Sequence, residues 1–354
     1  MKTQRMLTTA LLVCGATAAL IHAQAPAPRS GPGVQAPQDA REPEVLKTCK
    51  VPPPAAGGRG PGRGPAAAPP ARDLAVKEIP GVIAAGQQWK QVWQTDGNNA
   101  DGIIATKDGG ILIAQNDNSA VVKLDKNGKV STVYTDTNTG GALSQNTKGV
   151  LFLNSRGLRA SILELAPQRK TFTDKYQGDS FDCIGGVLND LSADSKGGAY
   201  FTMGGLFYAD PKGVVTKYGE NLRTNGIILS ADEKTLYVTN AGTVAAFDVQ
   251  KDGSLTNQRE FAKLEAGGGG DGSAIDSEGR LYVTSNPGVQ VFGRDGKYLG
   301  LIPTSGNIIS VAFSGPNKKT LYGVISIREG DPPKMSAQII SIPMLSQGYK
   351  GRAK

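Results

Sequence analysis

TNGIILSADEKTLYVTN (224–240) carries the pattern that decides the fold of this chain. A polar or small residue leads into an apolar stretch, a turn rich in Asp, Gly and Lys follows, and a short β-prone strand ends the phrase. The same phrase returns as ADGIIATKDGGILIAQ (100–115), GGALSQNTKGVLFLNS (140–155), LNDLSADSKGGAYFT (188–202), GDGSAIDSEGRLYVTS (270–285) and ISVAFSGPNKKTLYGV (309–324). The strands after the turns are expected to begin at Ile111, Val150, Ala199, Leu236, Leu281 and Leu321, separated by 39, 49, 37, 45 and 40 residues. Repeats of this period with turn signals and alternating strands fit the four-stranded blades of a propeller.

Between the copies lie further short strands, as in AVVKLDKNGKVSTVY (120–134) and VQVFGRDGKYLGLI (289–302). Asn127-Gly128 and Asp295-Gly296 are hairpin signals within them. The predicted fold is therefore all-β: one six-bladed β-propeller over 73–354, with no convincing amphipathic helix. An open sheet edge on such a ring invites aggregation. A closing strand is expected from VKEIPGVIAAG (76–86) or QWKQVWQ (88–94).

The first 72 residues read differently. Lys2 and Arg5 precede the apolar run 6–21 and small residues around Ala23, the pattern of a signal peptide over 1–23 and hence of an exported, periplasmic or secreted chain. Residues 24–72 hold 12 of the 21 prolines and read as a disordered Pro/Gly/Ala-rich linker. The propeller itself has 30 basic and 28 acidic residues, so the excess positive charge sits in the leader and linker. Nucleic-acid binding by the folded part gains no support from that balance, and no apolar run is long enough to predict a membrane span. His22 is the one histidine and falls in the leader, which leaves the mature chain without a Ser-His-Asp triad, a Cys-His pair or His-ligated zinc. AGGGGDG (266–272) lies between strands and reads as a blade loop, not a phosphate loop. Cys49 and Cys183 permit one disulfide in an exported chain, or remain two free thiols.

Ten or eleven residues before the strand starts stand Asp101, Gly140, Asn189, Asn225, Asp271 and Ser310. Equivalent positions of every blade lie on a ring about the axis, so four of the six would present carboxylate or carboxamide oxygens to one small volume. Such a set suits Ca²⁺ or a similar hard cation. Asp-Gly and Asn-Gly are also ordinary turn pairs, but the turns of these units lie further along, and the four residues lead into apolar innermost strands.

The copies from about 97 to 325, with GVQVFGRDGKYLGLIP, resemble the gluconolactonase/senescence-marker-protein (regucalcin) family. The resemblance implies a six-bladed propeller with one divalent metal in its axial channel, Ca²⁺ foremost and Zn²⁺, Mg²⁺ or Mn²⁺ also accepted. It also implies hydrolysis of a sugar lactone or related cyclic ester. The family's metal-binding positions fall on Asp101, Asn225 and Asp271, and its blade-three Asn, near metal or substrate, falls on Asn189. Asn189 and Asn225 would orient the ring, while Asp271 or a metal-held water would supply the general base or nucleophile. Three departures stand out. Asp101 replaces the family's usual Glu, Gly140 and Ser310 replace amides, and FTMGGLFYAD (201–210) replaces an acidic, proline-containing loop. Arg156, after the second blade's first copied strand, is a candidate further contact, with an exposed loop arginine as the preferred reading. Rival readings are a non-catalytic propeller that binds a carbohydrate or metal, and a protein-interaction platform.

Overall fold

The computed structural model describes residues 39–51, 73–95, 97–329 and 334–354. The expected signal peptide, with His22 and Cys14, and most of the linker lie outside these residues. Six four-stranded antiparallel sheets form the body. Their innermost strands are Ala100–Ala105, Leu143–Gln145, Leu191–Ala193, Thr224–Leu229, Ser273–Ile275 and Asn307–Ser314. Each contacts its two neighbours around the axis, and the sixth returns to the first. The second strands begin at Ile111, Leu151, Ala199, Thr235, Leu281 and Thr320, within one residue of the expected starts. Five blades run outward in chain order. In the sixth, Lys90–Gln94 supplies the outermost strand by pairing antiparallel to Lys334–Pro343. The second of the two candidate segments thus closes the ring.

Alternation along a strand explains the packing, because successive side chains enter opposite blade interfaces. Ile227 packs with Tyr200 and Tyr208 of the third blade, whereas Ile228 packs with Leu281 and Phe292 of the fifth. Ile103 and Ile104 divide in the same way between the sixth and second blades. Both faces of each inner pair are therefore buried, which is why these strands read as unbroken apolar runs. The outermost strands, such as Val130–Tyr134 and Val215–Tyr218, are largely exposed and carry polar residues.

Turn aspartates fix the inner hairpins. Asp276, fully buried, accepts the backbone N–H groups of Glu278 and Arg280 on Oδ1. Its Oδ2 accepts from Arg280 Nε (2.6 Å) and the buried Tyr282 hydroxyl (2.9 Å). Asp194 does the same for the N–H groups of residues 196–198 and the Tyr208 hydroxyl.

Two segments outside the blades matter for the axis. Residues 39–51, inside the stretch read as linker, carry a short helix, Glu42–Leu46, and the Cys49–Cys183 disulfide, with Cα atoms 5.4 Å apart. The disulfide seats this segment on the connection between the second and third blades, where Lys50 Nζ also donates to Gln177 O (2.7 Å). At the other end, residues 344–354 run across the turn side of the axis. Tyr349 N donates to Ile275 O, Ala353 exchanges backbone hydrogen bonds with Gln145, and the buried Arg352 donates to the carbonyls of Leu229 and Ser230.

Removing one partner of a buried hydrogen-bonded ion pair strands the other. Asp276→Ala is expected to cost about 3 kcal/mol in urea unfolding, whereas Ser277→Ala in the same turn, at an exposed position, changes stability by less than about 0.5 kcal/mol.

Candidate active site

The end of the channel opposite residues 344–354 is built from the entry points of the innermost strands. Asp101 and Asn225 stand on the strands Ala100–Ala105 and Thr224–Leu229, while Asn189 and Asp271 precede Leu191–Ala193 and Ser273–Ile275 by two residues. The glycine after three of them lets adjacent blades touch at the axis. A Cβ on Gly226 would lie 1.9 Å from Asp271 O, and those on Gly102 and Gly272 would lie 2.8 and 2.7 Å from Gly141 O and Ile309 O. Gly102 and Gly272 also donate their N–H groups to these carbonyls, at 2.7 and 2.9 Å. The Asp-Gly and Asn-Gly pairs therefore serve inter-blade approach rather than turns.

The same contacts correct two ring positions. The carbonyls that meet the preceding blade belong to Gly141 and Ile309, so these residues, not Gly140 and Ser310, are the equivalents of Asp101. The second blade's strand begins at Leu151 rather than Val150, and the sixth blade carries an irregularity between Ile308 and Ser310. Each shifts the count by one.

Asn189, Asn225, Asp101 and Asp271 do come together. Asn189 Nδ2 donates to Asn225 Oδ1 (2.6 Å). The Asn225 amide favours the ionised form of the neighbouring Asp271 carboxyl. Loss of solvation in the channel, with the negative charges of Asp101 and Asp190, pushes the Asp271 carboxyl up to about 8, against the pull of Arg156 and Asn225.

Three charged residues of the site were not in the set read from spacing. Arg156, whose exposed-loop reading is not what the structure shows, lies in the site with its side chain 11% exposed and its Nη1 bound to Asp101 Oδ2. Asp190 accepts the Ile227 N–H on Oδ2 (2.9 Å) and the Leu191 N–H on Oδ1 (2.8 Å). Lys354 enters from the sealed side, pairs with Asp190 Oδ1, and donates to the carbonyls of Leu191 (2.9 Å) and Ile227 (3.0 Å). Burial draws the Lys354 ammonium down while Asp190 holds it up. Polar residues three places after Leu151, Ala199, Leu236 and Leu281 in the second strands tie the wall together. Asn154 accepts from Gly141 N, Thr202 donates to Asn225 O, Thr239 accepts from Gly226 N and Thr284 donates to Gly272 O. Their repetition in LFLN, AYFT, LYVT and LYVT was the available signal. FTMGGLFYAD forms a tight hairpin turning at Met203–Gly205.

Among the described residues no three His, Cys, Asp or Glu side chains group as a metal cluster. The donor set here is two carboxylates, Asp101 and Asp271, and two carboxamides, Asn189 and Asn225. Once Asp271 gives up its proton, three carboxylates (Asp101, Asp190, Asp271) face two cationic side chains (Arg156, Lys354), a net negative charge that a divalent cation would offset. An all-oxygen set with that charge fits a hard divalent cation. The space left to a water-sized solvent between these groups is about 10 Å³, room for one water. A roomier cavity, about 600 Å³ at the rim by Leu74, Trp89 and Ile340, is lined by no charged side chain.

Comparison with known proteins places these features in a context. Residues 133–327 match the SMP-30/Gluconolactonase/LRE-like region. A gluconolactonase of Zymomonas mobilis is 29% identical over 208 residues, 49% of this chain and 57% of that protein. A lactonase drp35 of Staphylococcus epidermidis is 32% identical over 209 residues, 52% of this chain and 56% of that protein. The match therefore spans a little over half the length of these relatives. Among solved structures, a gluconolactonase of Xanthomonas campestris superposes with a TM-score of 0.61 at 22% identity, covering 73% of this chain and 90% of that one. A calcium-binding regucalcin of Agrobacterium tumefaciens gives 0.55 at 18%, covering 71% and 93%. At these identities the structural likeness concerns the fold.

The raised Asp271 carboxyl has a consequence for stability. In chelator-treated protein the folded state keeps this proton from about pH 4, where the unfolded chain loses it, to about pH 8. Its contribution is therefore whole below that range and is lost as pH rises through the folded value. Urea unfolding between pH 5 and 9 is expected to show wild type losing stability relative to Asp271→Asn, whose amide does not titrate.

Proposed function

The chain belongs to the SMP-30/Gluconolactonase/LRE-like family, and on that premise we propose that it hydrolyses a lactone, a sugar lactone or similar cyclic ester, at the axial site. The observation that carries this reading is the convergence of Asp101, Asn189, Asn225 and Asp271 at one end of the channel. Asp101, Asn225 and Asp271 would hold a divalent cation, Ca²⁺ first among the choices since regucalcin is a calcium-binding structural neighbour. When bound, the cation supplies a Lewis acid for the ester carbonyl.

The residues divide the remaining work. Asn189 and Asn225 offer amide groups that orient the ring through its oxygens. The Asp271 carboxylate takes a proton from the water that attacks the acyl carbon, the C–O bond of the ring breaks, and the leaving alkoxide recovers a proton to give the hydroxy acid. Blade walls joined through Gly102, Gly226 and Gly272 keep bulk water from the sides. A non-catalytic binding propeller is the second reading, favoured by one observation: Asp101 is already paired with Arg156.

Proton release at constant pH on a panel of sugar and aliphatic lactones, with chelator and then with single cations restored, separates the two. Cation-restored turnover is expected, with Asp271→Asn losing at least about a hundred-fold in kcat/KM while keeping the wild-type circular dichroism. Binding without turnover under every cation would transfer the protein to the second reading.

We also propose that the chain is exported; the Cys49–Cys183 pairing supports this, since such bonds persist in oxidising compartments. Reduction is expected to free residues 39–51 to proteolysis while leaving the propeller's melting temperature within a few degrees, because Cys49 lies outside the blades. A collapse of the melting temperature would show the bond to be part of the propeller's own stability.

A further inference from the structure

We propose that Arg156 is a resident counter-ion of the axial site that competes with the divalent cation for Asp101, so that cation entry requires the guanidinium to release that carboxylate. This rests on the reading of the site as a cation site. Arg156 leaves the second blade's second strand and crosses the ring. Its Nε donates to Leu188 O (2.9 Å), its Nη2 to Asn189 O (2.6 Å) and Asn189 Oδ1 (3.1 Å), and its Nη1 to Asp101 Oδ2. All three nitrogens are engaged, and two of the acceptors belong to the site itself: the Asp101 carboxylate, which would hold the cation, and the Asn189 carboxamide, which would face the substrate.

The second blade is shaped for this side chain. Its ring position is Gly141, where a Cβ would stand 1.9 Å from Arg156 Cζ and 2.1 Å from Nε. Gly141 does not have a positive φ, so its backbone has no need of glycine; the need comes from the guanidinium lying across it. The ring is thus furnished by five blades with side chains and by the second blade with a space that Arg156 fills. With it in place, about 10 Å³ is left among these groups, too little for a lactone ring beside a hydrated ion. Charge points the same way. A guanidinium in contact with a carboxylate satisfies its acceptor oxygen and repels a divalent cation approaching the same oxygens. On release of Asp101, the backbone carbonyls of Leu188 and Asn189 still anchor the arginine at the channel wall.

The test is direct cation binding to the full metal-stripped chain, by calorimetry with Ca²⁺ and with Mn²⁺, for wild type, Arg156→Met and Gly141→Ala. The second variant keeps the charge and expels the guanidinium from its bed. Both are expected to bind about ten-fold tighter or more, the scale of one close charge-pair coupling. In wild type the Arg156 Nε–H resonance should shift on cation addition. Circular dichroism confirms that each variant is folded; if Gly141→Ala does not fold, the Arg156 resonance in wild type decides, and its indifference to a bound cation would overturn the competition. Tightening in Arg156→Met without tightening in a folded Gly141→Ala would reduce the effect to distant charge and also overturn it. Equal affinities in all three would overturn it and leave the cation site standing, whereas no binding by any of them would remove both.

Discussion

Six blades share one axis only if their innermost strands can approach until backbone meets backbone, and everything at the site depends on that contact. Gly102, Gly226 and Gly272 permit it by having no Cβ where the next blade's carbonyl arrives. Closure of the ring by Lys90–Gln94 against Lys334–Pro343 then holds all six interfaces at once. Because each inner strand sends consecutive side chains into opposite interfaces, a register error of one residue would exchange the two packing faces and move the ring residues off the axis. Fold specification and site placement are the same geometric fact.

That identity explains what could be read from the chain. The periodic phrase carries the blade count, the strand starts and the ring positions of Asp101, Asn189, Asn225 and Asp271, because a repeated backbone path leaves a repeated pattern. It fails by one residue at Gly141 and Ile309, where the second blade's turn and the sixth blade's irregular pairing break the repeat. Arg156 and Lys354 obey no period, and Asp190 holds a repeat position that is glycine in three other blades. Arg156 reaches the axis from a strand end, and Lys354 arrives on a segment that belongs to no blade. Side chains placed by tertiary approach leave no trace in spacing, so the network of charge was less legible than the ring of oxygens.

Charge is distributed in two tiers along the axis. On the sealed side, Lys354 meets Asp190 amid the Leu191 and Ile227 carbonyls, a pairing in which each partner makes the other's burial tolerable. Above it, Arg156 pairs with Asp101 and also draws on Asp271, whose other neighbours are anions and a neutral amide. The connection that presents Leu188 and Asn189 to Arg156 is also the one tied through Cys183 to residues 39–51. A segment outside the propeller therefore touches the same stretch of chain that borders the site.

Residues 344–354 give the channel a floor. Backbone hydrogen bonds tie this segment to several blades across one end of the axis, which leaves the other end as the way in. A molecule that enters from the open end leaves by the same end, and must exchange places with the water ahead of it. Filling and emptying then alternate strictly: the space must empty before it can fill.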